Sequence, residues 1–285
     1  MEHRVITLAD PRYPRKAKER LGSEAPNIYY NGPLKFLDRF TMTVICSDQS
    51  HGLELLETNQ VLFTIREYDL NYIGSWHSII ESEIFRLAMF QGYGRYASKK
   101  GRNILLGERT LTLFSAKGLN NETYESYLLD RFYPPLHEFP ERDEYFRRVR
   151  EGELLMLSVC DPEETRQSRK NIMQRNWMAC VLGDIVFIPY GPKGSKTYIT
   201  AKKLIEANIP TFTLEHPTCT DLHKIGIHGF NRKTVGGFLE EKGAKKAIRE
   251  NSKGNAGSRY ELPEYRAPVA NEPVQTKMSF KKNAR

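Results

Sequence analysis

The stretch DIVFIPYGPKGSKTYITAKKLIEANIPTFTL, residues 184–214, decides which fold the sequence predicts. It opens with the apolar run Ile185 to Ile188, whose β-branched residues are typical of a strand buried on both faces of a parallel sheet. The glycines and the proline of residues 191–197 predict a tight loop. Helically spaced apolar residues follow, and a second strand is expected at 211–214. The stretch therefore predicts one βαβ unit.

The loop of this unit leads Ser195, Lys196 and Thr197 into the N-terminus of the helix. Free backbone N–H groups and the positive end of the helix dipole favour an anion there, most often a phosphate. Ordinary N-capping by a serine or threonine would produce the same pattern. The two interpretations are compatible, so both stay open. Lys193 and Lys196 add positive charge that capping does not require.

The rest of the main segment continues the alternation of strands and helices. We expect buried strands at 41–46, 61–65, 111–115 and 154–159. We expect helices at 53–58, around 80–88, at 143–150 and over 165–180, the last with a basic start. This alternation predicts an α/β fold with a mostly parallel sheet, helices on both faces and ligands at the carboxyl ends of the strands.

The chain divides into four segments by composition. These are a lead-in (1–40), the main domain (41–216), an extension with a helix at 233–249 (217–250) and a basic tail (251–285). Of the net charge of +8, residues from Glu241 onward carry 11 Lys/Arg against 5 Asp/Glu, or +6. The tail is expected to be disordered. A solvated tail and an arm that neutralises nucleic-acid phosphates both fit this composition.

Several classes of protein and site are disfavoured by the sequence. There is no apolar run of about 18 residues and no start that resembles a secretory signal, so we expect a cytoplasmic protein without a membrane-spanning segment. The four cysteines are scattered, which favours buried free thiols. No metal-ligand spacing occurs, and we predict no metal or cofactor. His77 lacks a positioned carboxylate, and nothing in the spacing shows that Glu81 and Asp48 meet, so catalysis is not expected.

Several short motifs occur in an order that resembles the DNA-processing protein A (DprA/Smf) family. They are Tyr13-Pro14, Pro26-Asn-Ile-Tyr-Tyr-Asn-Gly32, the strand Leu111 to Gly118, Arg175-Asn176-Trp177, Ser195-Lys-Thr-Tyr-Ile-Thr-Ala201 and the strand ending at Leu214. The similarity runs from about residue 13 to residue 214. The order of these motifs is more specific than any one of them.

The chain also departs from the family pattern. The Gly-Ser-Arg that follows the first strand is here Cys46-Ser47-Asp48, so an arginine has become an acid. Trp177 replaces the last arginine of Arg-Asn-Arg, and Lys196 replaces the glycine of Ser-Gly-Ser. The family's glycine-rich Ser-Gly-x-Ala-x-Gly-Ile-Asp stretch corresponds to residues 74–81, which keep few glycines. We therefore expect a divergent member with a rebuilt site, in which Lys196 and Trp177 compensate by charge and base stacking.

The resemblance implies an extended Rossmann-like fold, usually dimeric, that binds single-stranded DNA in a basic pocket and helps to load a RecA-type recombinase. It implies a binding protein rather than an enzyme. The predicted nucleic-acid and phosphate-binding residues are Ser47, Arg175, Asn176, Lys193, Ser195, Lys196, Thr197 and Thr200.

Two further segments carry predictions about partners. The basic loop 92–102 interleaves tyrosines with cations, as single-strand contacts do, although a solvated loop fits it as well. In the tail, Gln275, Met278 and Phe280 resemble the Gln-x-x-Leu-x-Phe peptide that docks on the sliding clamp.

Two other functions stay open. One is a nucleotide-binding protein or nucleoside-phosphate hydrolase of the related lysine-decarboxylase-like (LOG) group, although the Pro-Gly-Gly-x-Gly-Thr loop of that group is absent. The other is a non-catalytic adaptor that recruits partners through its tail.

Overall fold

A computed structural model of the chain describes residues 3–89, 107–129 and 142–247. The strands are β1 (Arg4–Ile6), β2 (Ile28–Asn31), β3 (Thr41–Val44), β4 (Leu70–Gly74), β5 (Arg109–Ser115), β6 (Leu154–Ser158), β7 (Ile185–Phe187), β8 (Thr211–Leu214) and β9 (His228–Phe230). The helices are α1 (Arg15–Leu21), α2 (Gly52–Ile65), α3 (Ile79–Met89), α4 (Tyr124–Leu129), α5 (Arg142–Arg150), α6 (Arg169–Leu182), α7 (Lys196–Glu206), α8 (Thr220–Lys224) and α9 (Val235–Glu241).

Within these described residues the strands form one sheet of nine, in the order β1-β2-β6-β5-β4-β3-β7-β8-β9. Every pairing from β6 across to β9 is parallel, whereas β1 and β2 join the edge antiparallel. The sheet is thus mostly parallel, which confirms the predicted α/β fold class.

The sheet is covered on both faces because its strands are apolar on both sides. In β7, Ile185 and Phe187 belong to one buried cluster and Val186 belongs to the other. The first cluster includes apolar residues of α2, α3 and α9, and the second includes residues of α1, α6, α7 and α8. A strand buried on both faces reads as a continuous apolar run, which is why the pattern at 185–188 predicted it correctly.

One strand prediction was wrong. Residues 52–65 form the single helix α2, and the strand expected at 61–65 is instead β4 at 70–74. Val61, Leu62 and Ile65 are buried on one face of the helix, and an apolar run this short does not distinguish helix from strand. The true strand was hidden by Asn71, a fully buried amide that accepts hydrogen bonds from the hydroxyls of Thr110 and Thr112.

The helix predicted at 233–249 is much shorter in the structure: α9 spans Val235–Glu241 and ends before Gly243, whose φ of 96° does not fit a helix. The residues before α9 add β9 to the far edge of the sheet. In the described ranges, no helix combines the length and the apolar character needed to cross a membrane.

The order of the strands places a topological switch between β3 and β7. From β3 the chain proceeds outward through β4, β5 and β6, and it then returns to the other side of β3 for β7, β8 and β9. The loops that follow β3 and β7 therefore diverge at the carboxyl edge of the sheet. Open parallel sheets bind ligands in the crevice that forms at such a point.

Candidate nucleic-acid interface

A cleft of about 880 Å³ opens at this switch point. It is bounded by the loops after β3, β4 and β7 and by one side of α6. The predicted site residues that line it are Ser47, Arg175, Asn176, Lys193, Ser195, Lys196 and Thr197. The structure thus brings together residues that lie up to 150 positions apart in the chain. Thr200 is the exception, because it does not line the cleft.

The side chain of Ser195 caps the N-terminus of α7. Ser195 Oγ accepts a hydrogen bond from the backbone N–H of Tyr198 at 3.0 Å. The turn before it is closed by the N–H of Ser195 donating to the Pro192 carbonyl at 3.0 Å, and Gly194 adopts φ 88°, which favours glycine. The N–H groups of Lys196 and Thr197 have no intrahelical acceptor, since they lie in the first turn. Capping is thus observed, and it leaves room for an anion.

The start of α6 has the same design. Ser168 Oγ accepts a hydrogen bond from the N–H of Asn171 at 3.1 Å, and the helix then begins with Arg169 and Lys170. Arg169 is exposed and lines the cleft. Neither α6 nor α7 carries an acidic residue in its first turn. Both helices therefore place cations at the positive end of the dipole, where cations are unfavourable unless an anion is bound.

Two other helix starts at this edge are closed by their own carboxylates. Glu54 Oε2 accepts from the N–H of His51, at the start of α2, at 2.8 Å. Glu81 Oε2, at the start of α3, accepts from the N–H groups of His77 and Ser78 at 2.8 and 3.0 Å. Both glutamates are buried. Burial raises the pKa of Glu81, although the nearby Arg175 charge acts in the opposite direction.

Arg175 joins the two sides of the cleft. It is 3% exposed, and its Nε and Nη2 donate to Asn176 Oδ1 at 3.1 and 2.9 Å. Its Nη1 lies 3.2 Å from Nε2 of His77, which belongs to the loop after β4. The helix expected from residue 165 begins at Arg169, so Arg175 lies in its second turn. Sequence reasoning missed this contact, since the partners are 98 positions apart.

The charges along the cleft are unevenly placed. Arg169, Arg175, Lys193 and Lys196 contribute four positive charges to its described lining, against the two carboxyl groups of Asp48 and Glu81. Asp48 is exposed at the loop after β3, whereas the oxygens of Glu81 are occupied by backbone N–H groups. In the parts of the chain that the structure describes, no cluster of three or more His, Cys, Asp or Glu could hold a metal ion.

The remaining candidates lie elsewhere. Thr200 is buried in α7 and its hydroxyl donates to the Lys196 carbonyl at 3.1 Å. Trp76, in the loop after β4, is fully buried beside Phe85 and does not line the cleft. Trp177 lies on α6 next to the cleft and is partly buried. The loop 92–102 and the tail residues Gln275, Met278 and Phe280 lie outside the described residues.

Comparisons with known proteins place this geometry among known folds. No protein-family model matches the chain, and no curated protein matches it. Among solved structures, DNA processing protein A (DprA) from Streptococcus pneumoniae is similar with a TM-score of 0.61 at 16% identity, over 84% of this chain and 74% of that one. DprA from Helicobacter pylori, whose structure was reported for its single-stranded DNA binding mode, has a TM-score of 0.57 at 14% identity. The match covers 84% of this chain and 96% of that one. The chain therefore has the fold of DNA processing protein A, which confirms the extended Rossmann-like fold that the sequence resemblance implied.

Proposed function

We propose that this protein binds single-stranded DNA as a DNA-processing protein, holding backbone phosphates in a basic pocket at the carboxyl end of the sheet. The observation that carries the proposal is the pair of serine-capped helix starts at the cleft, each followed at once by a cation. The fold supports the choice of ligand, because the H. pylori protein with this fold binds single-stranded DNA.

A phosphate at the start of α7 would accept hydrogen bonds from the N–H groups of Lys196 and Thr197. The exposed side chains of Lys193 and Lys196 would add charge, and Ser195 would keep its capping bond to Tyr198. A second phosphate would be stabilised by Arg169 at the start of α6. Two separate anion positions along one cleft suit a chain of phosphates better than a single small anion.

Arg175 and Asn176 take a supporting role in this proposal. The two hydrogen bonds that Arg175 donates to Asn176 Oδ1 fix the guanidinium at the cleft, where it contributes positive charge. The contact with His77 holds the loop after β4 in place. Ser47 follows β3 and donates its N–H to the Tyr190 carbonyl at 3.0 Å, which ties together the two loops that diverge at the switch point.

The more specific parts of the prediction remain predictions. They are the loading of a RecA-type recombinase, the homodimer, and the clamp peptide in the tail. The hydrolase alternative is disfavoured because the carboxylate best placed for acid–base chemistry, Glu81, has its oxygens occupied by backbone donors. The adaptor alternative requires that the cleft binds no nucleic acid. Measuring oligothymidylate binding to the full chain tests this requirement.

The test is to measure binding of a labelled oligothymidylate to the full chain over a range of salt concentrations. We expect the logarithm of the association constant to fall linearly with the logarithm of salt, by about 0.7 for each phosphate contact. Arg169→Ala should lower this slope by about one contact, whereas Lys202→Ala, an exposed lysine of α7 outside the cleft, should not. Absence of binding, or binding that ignores salt, would refute the proposal. Release of free base from a nucleoside monophosphate would instead support the hydrolase.

A further inference from the structure

A second, shallow groove lies between α6 and α7, the two helices whose starts line the cleft. This α6–α7 groove has a volume of about 160 Å³ and is lined by Met173, Gln174, Trp177, Thr200 and Lys203. Its floor is closed by Thr200, whose hydroxyl is already bonded to the carbonyl of Lys196. The available surface is therefore the indole of Trp177, the thioether of Met173 and the exposed Lys203.

The cleft and the groove are both lined by residues of α6 and α7. On α7, Lys196 lines the cleft, while Thr200 and Lys203 line the groove, and these three positions share one helix face. On α6, Asn176 lines the cleft and its neighbour Trp177 lines the groove. A rise of 1.5 Å per residue puts Lys203 about 10 Å along the helix from Lys196. A strand bound at the start of α7 thus has a path down this face.

Trp177 presents an aromatic surface that the fold leaves unused. It is partly buried against the core cluster that lies under α6 and α7. Within the described residues it makes no ring-stacking or cation–ring contact, whereas Trp76 is fully buried and packs on Phe85. An indole that is held by packing on one side and open on the other is a suitable platform for a base. Lys203 supplies a cation beside it.

We propose that the α6–α7 groove binds the nucleotide next to those held in the cleft, with its base stacked on Trp177 and its phosphate facing Lys203. This inference rests on the proposed single-stranded DNA binding and specifies the direction in which the strand leaves the cleft. Five residues line the groove, whereas a stable protein interface engages about 20–30 residues on each side, which argues against a second protein chain as the occupant.

The protein's two tryptophans allow a direct test by fluorescence. Unlabelled oligothymidylate is titrated into the full chain, and an abasic strand of equal length serves as the matched ligand. We expect oligothymidylate to quench tryptophan emission, and we expect the abasic strand to bind with a similar salt dependence but little quenching. In the Trp177→Leu variant the remaining emission comes from the buried Trp76, and it should not change when oligothymidylate is added. The affinity of this variant for oligothymidylate should fall about fivefold to a hundredfold.

Trp177→Phe controls for damage to the fold, because it keeps a ring that can pack and stack, and it should recover most of the affinity. Salt-dependent DNA binding with unchanged tryptophan emission, together with wild-type affinity of Trp177→Leu, would overturn the proposed binding in the groove. It would leave the proposed binding in the cleft untouched. No binding by the wild-type chain would overturn the proposed function itself. A change in solution mass of Trp177→Leu without a change in DNA affinity would assign the groove to a second copy of the chain.

Discussion

The two sides of the cleft use the same topology with opposite electrostatics. On the acid-capped side, the starts of α2 and α3 are filled by the buried carboxylates of Glu54 and Glu81. On the open side, α6 and α7 are capped by neutral serines and followed by Arg169 and Lys196. All four helices begin at the carboxyl edge of the sheet. A helix start at this edge is therefore an anion site only where the chain does not supply its own anion.

The open side gives up stability that the acid-capped side retains. A carboxylate near a helix N-terminus contributes about 0.3–1 kcal/mol, and a cation there loses a similar amount. Two helices at one cleft that both carry the unfavourable sign are hard to explain by folding alone. Local rules of stability are broken most often at functional sites, which is why we assign the ligand to the open side.

The largest expected effect comes from removing the residue that joins the two sides. Arg175→Ala removes a buried guanidinium and leaves Asn176 Oδ1 without its two donors, so the free energy of unfolding should fall by about 1–3 kcal/mol. Arg175→Lys should recover only part of this loss, because an ammonium lacks the planar Nε/Nη2 fork that holds Asn176 Oδ1. Chemical denaturation measures both. The exposed Arg169→Ala is the control, and equal destabilisation by it would show that Arg175 does not link the sides.

The second prediction removes the charge of the open side. Lys193→Ala combined with Lys196→Ala should weaken binding of oligothymidylate about tenfold or more and lower the salt slope by about 1.4, because two phosphate contacts are lost. Folding stability should stay within about 0.5 kcal/mol, since both lysines are exposed. Lys202→Ala with Lys233→Ala removes the same charge elsewhere on the surface. If this control variant lost as much affinity for oligothymidylate, the net charge of the protein rather than the cleft would determine the affinity.

The smallest expected effect concerns the acid at the mouth of the cleft. Asp48 is exposed and lines the cleft, where its charge opposes a phosphate. Asp48→Asn should strengthen DNA binding by about 1.5-fold to fivefold at low salt, in line with the 0.2–1 kcal/mol of an exposed charge pair. The difference should shrink as salt rises. Glu206→Gln, at the far end of α7, should not change affinity, and weaker binding by Asp48→Asn would show that the acid assists the ligand.

The open side was more accessible to sequence reasoning than the acid-capped side. The loop that leads into Ser195 is local, so its glycines, its serine cap and its lysines could be interpreted from neighbouring residues. The acid-capped side depends on α2, whose last turn looked like a strand, and on Glu81. The spacing of Ser78 and Glu81 is a capping-box signature, and it would have indicated that this helix start supplies its own anion.

Long-range contacts account for the rest of what the sequence did not show. The approach of Arg175 to His77 joins α6 to the loop after β4, and no local pattern encodes it. The same holds for the groove beside Trp177, which exists only because α6 and α7 pack against each other. Arg175 and Asn176, which the resemblance singled out, line the cleft, but the resemblance could not predict that Arg175 donates two hydrogen bonds to Asn176.

The central claim is tested most directly by giving α7 the anion that α2 and α3 already have. Ser195→Asp keeps an N-cap of similar size and adds a negative charge to the start of the helix. We predict a rise in Tm of about 1–4 °C together with a loss of oligothymidylate affinity of about tenfold or more, while the neutral cap of Ser195→Thr changes neither by much. A stabilised Ser195→Asp variant that binds DNA as tightly as the wild-type chain would contradict the account, because the start of α7 would then be a capped helix end and nothing more.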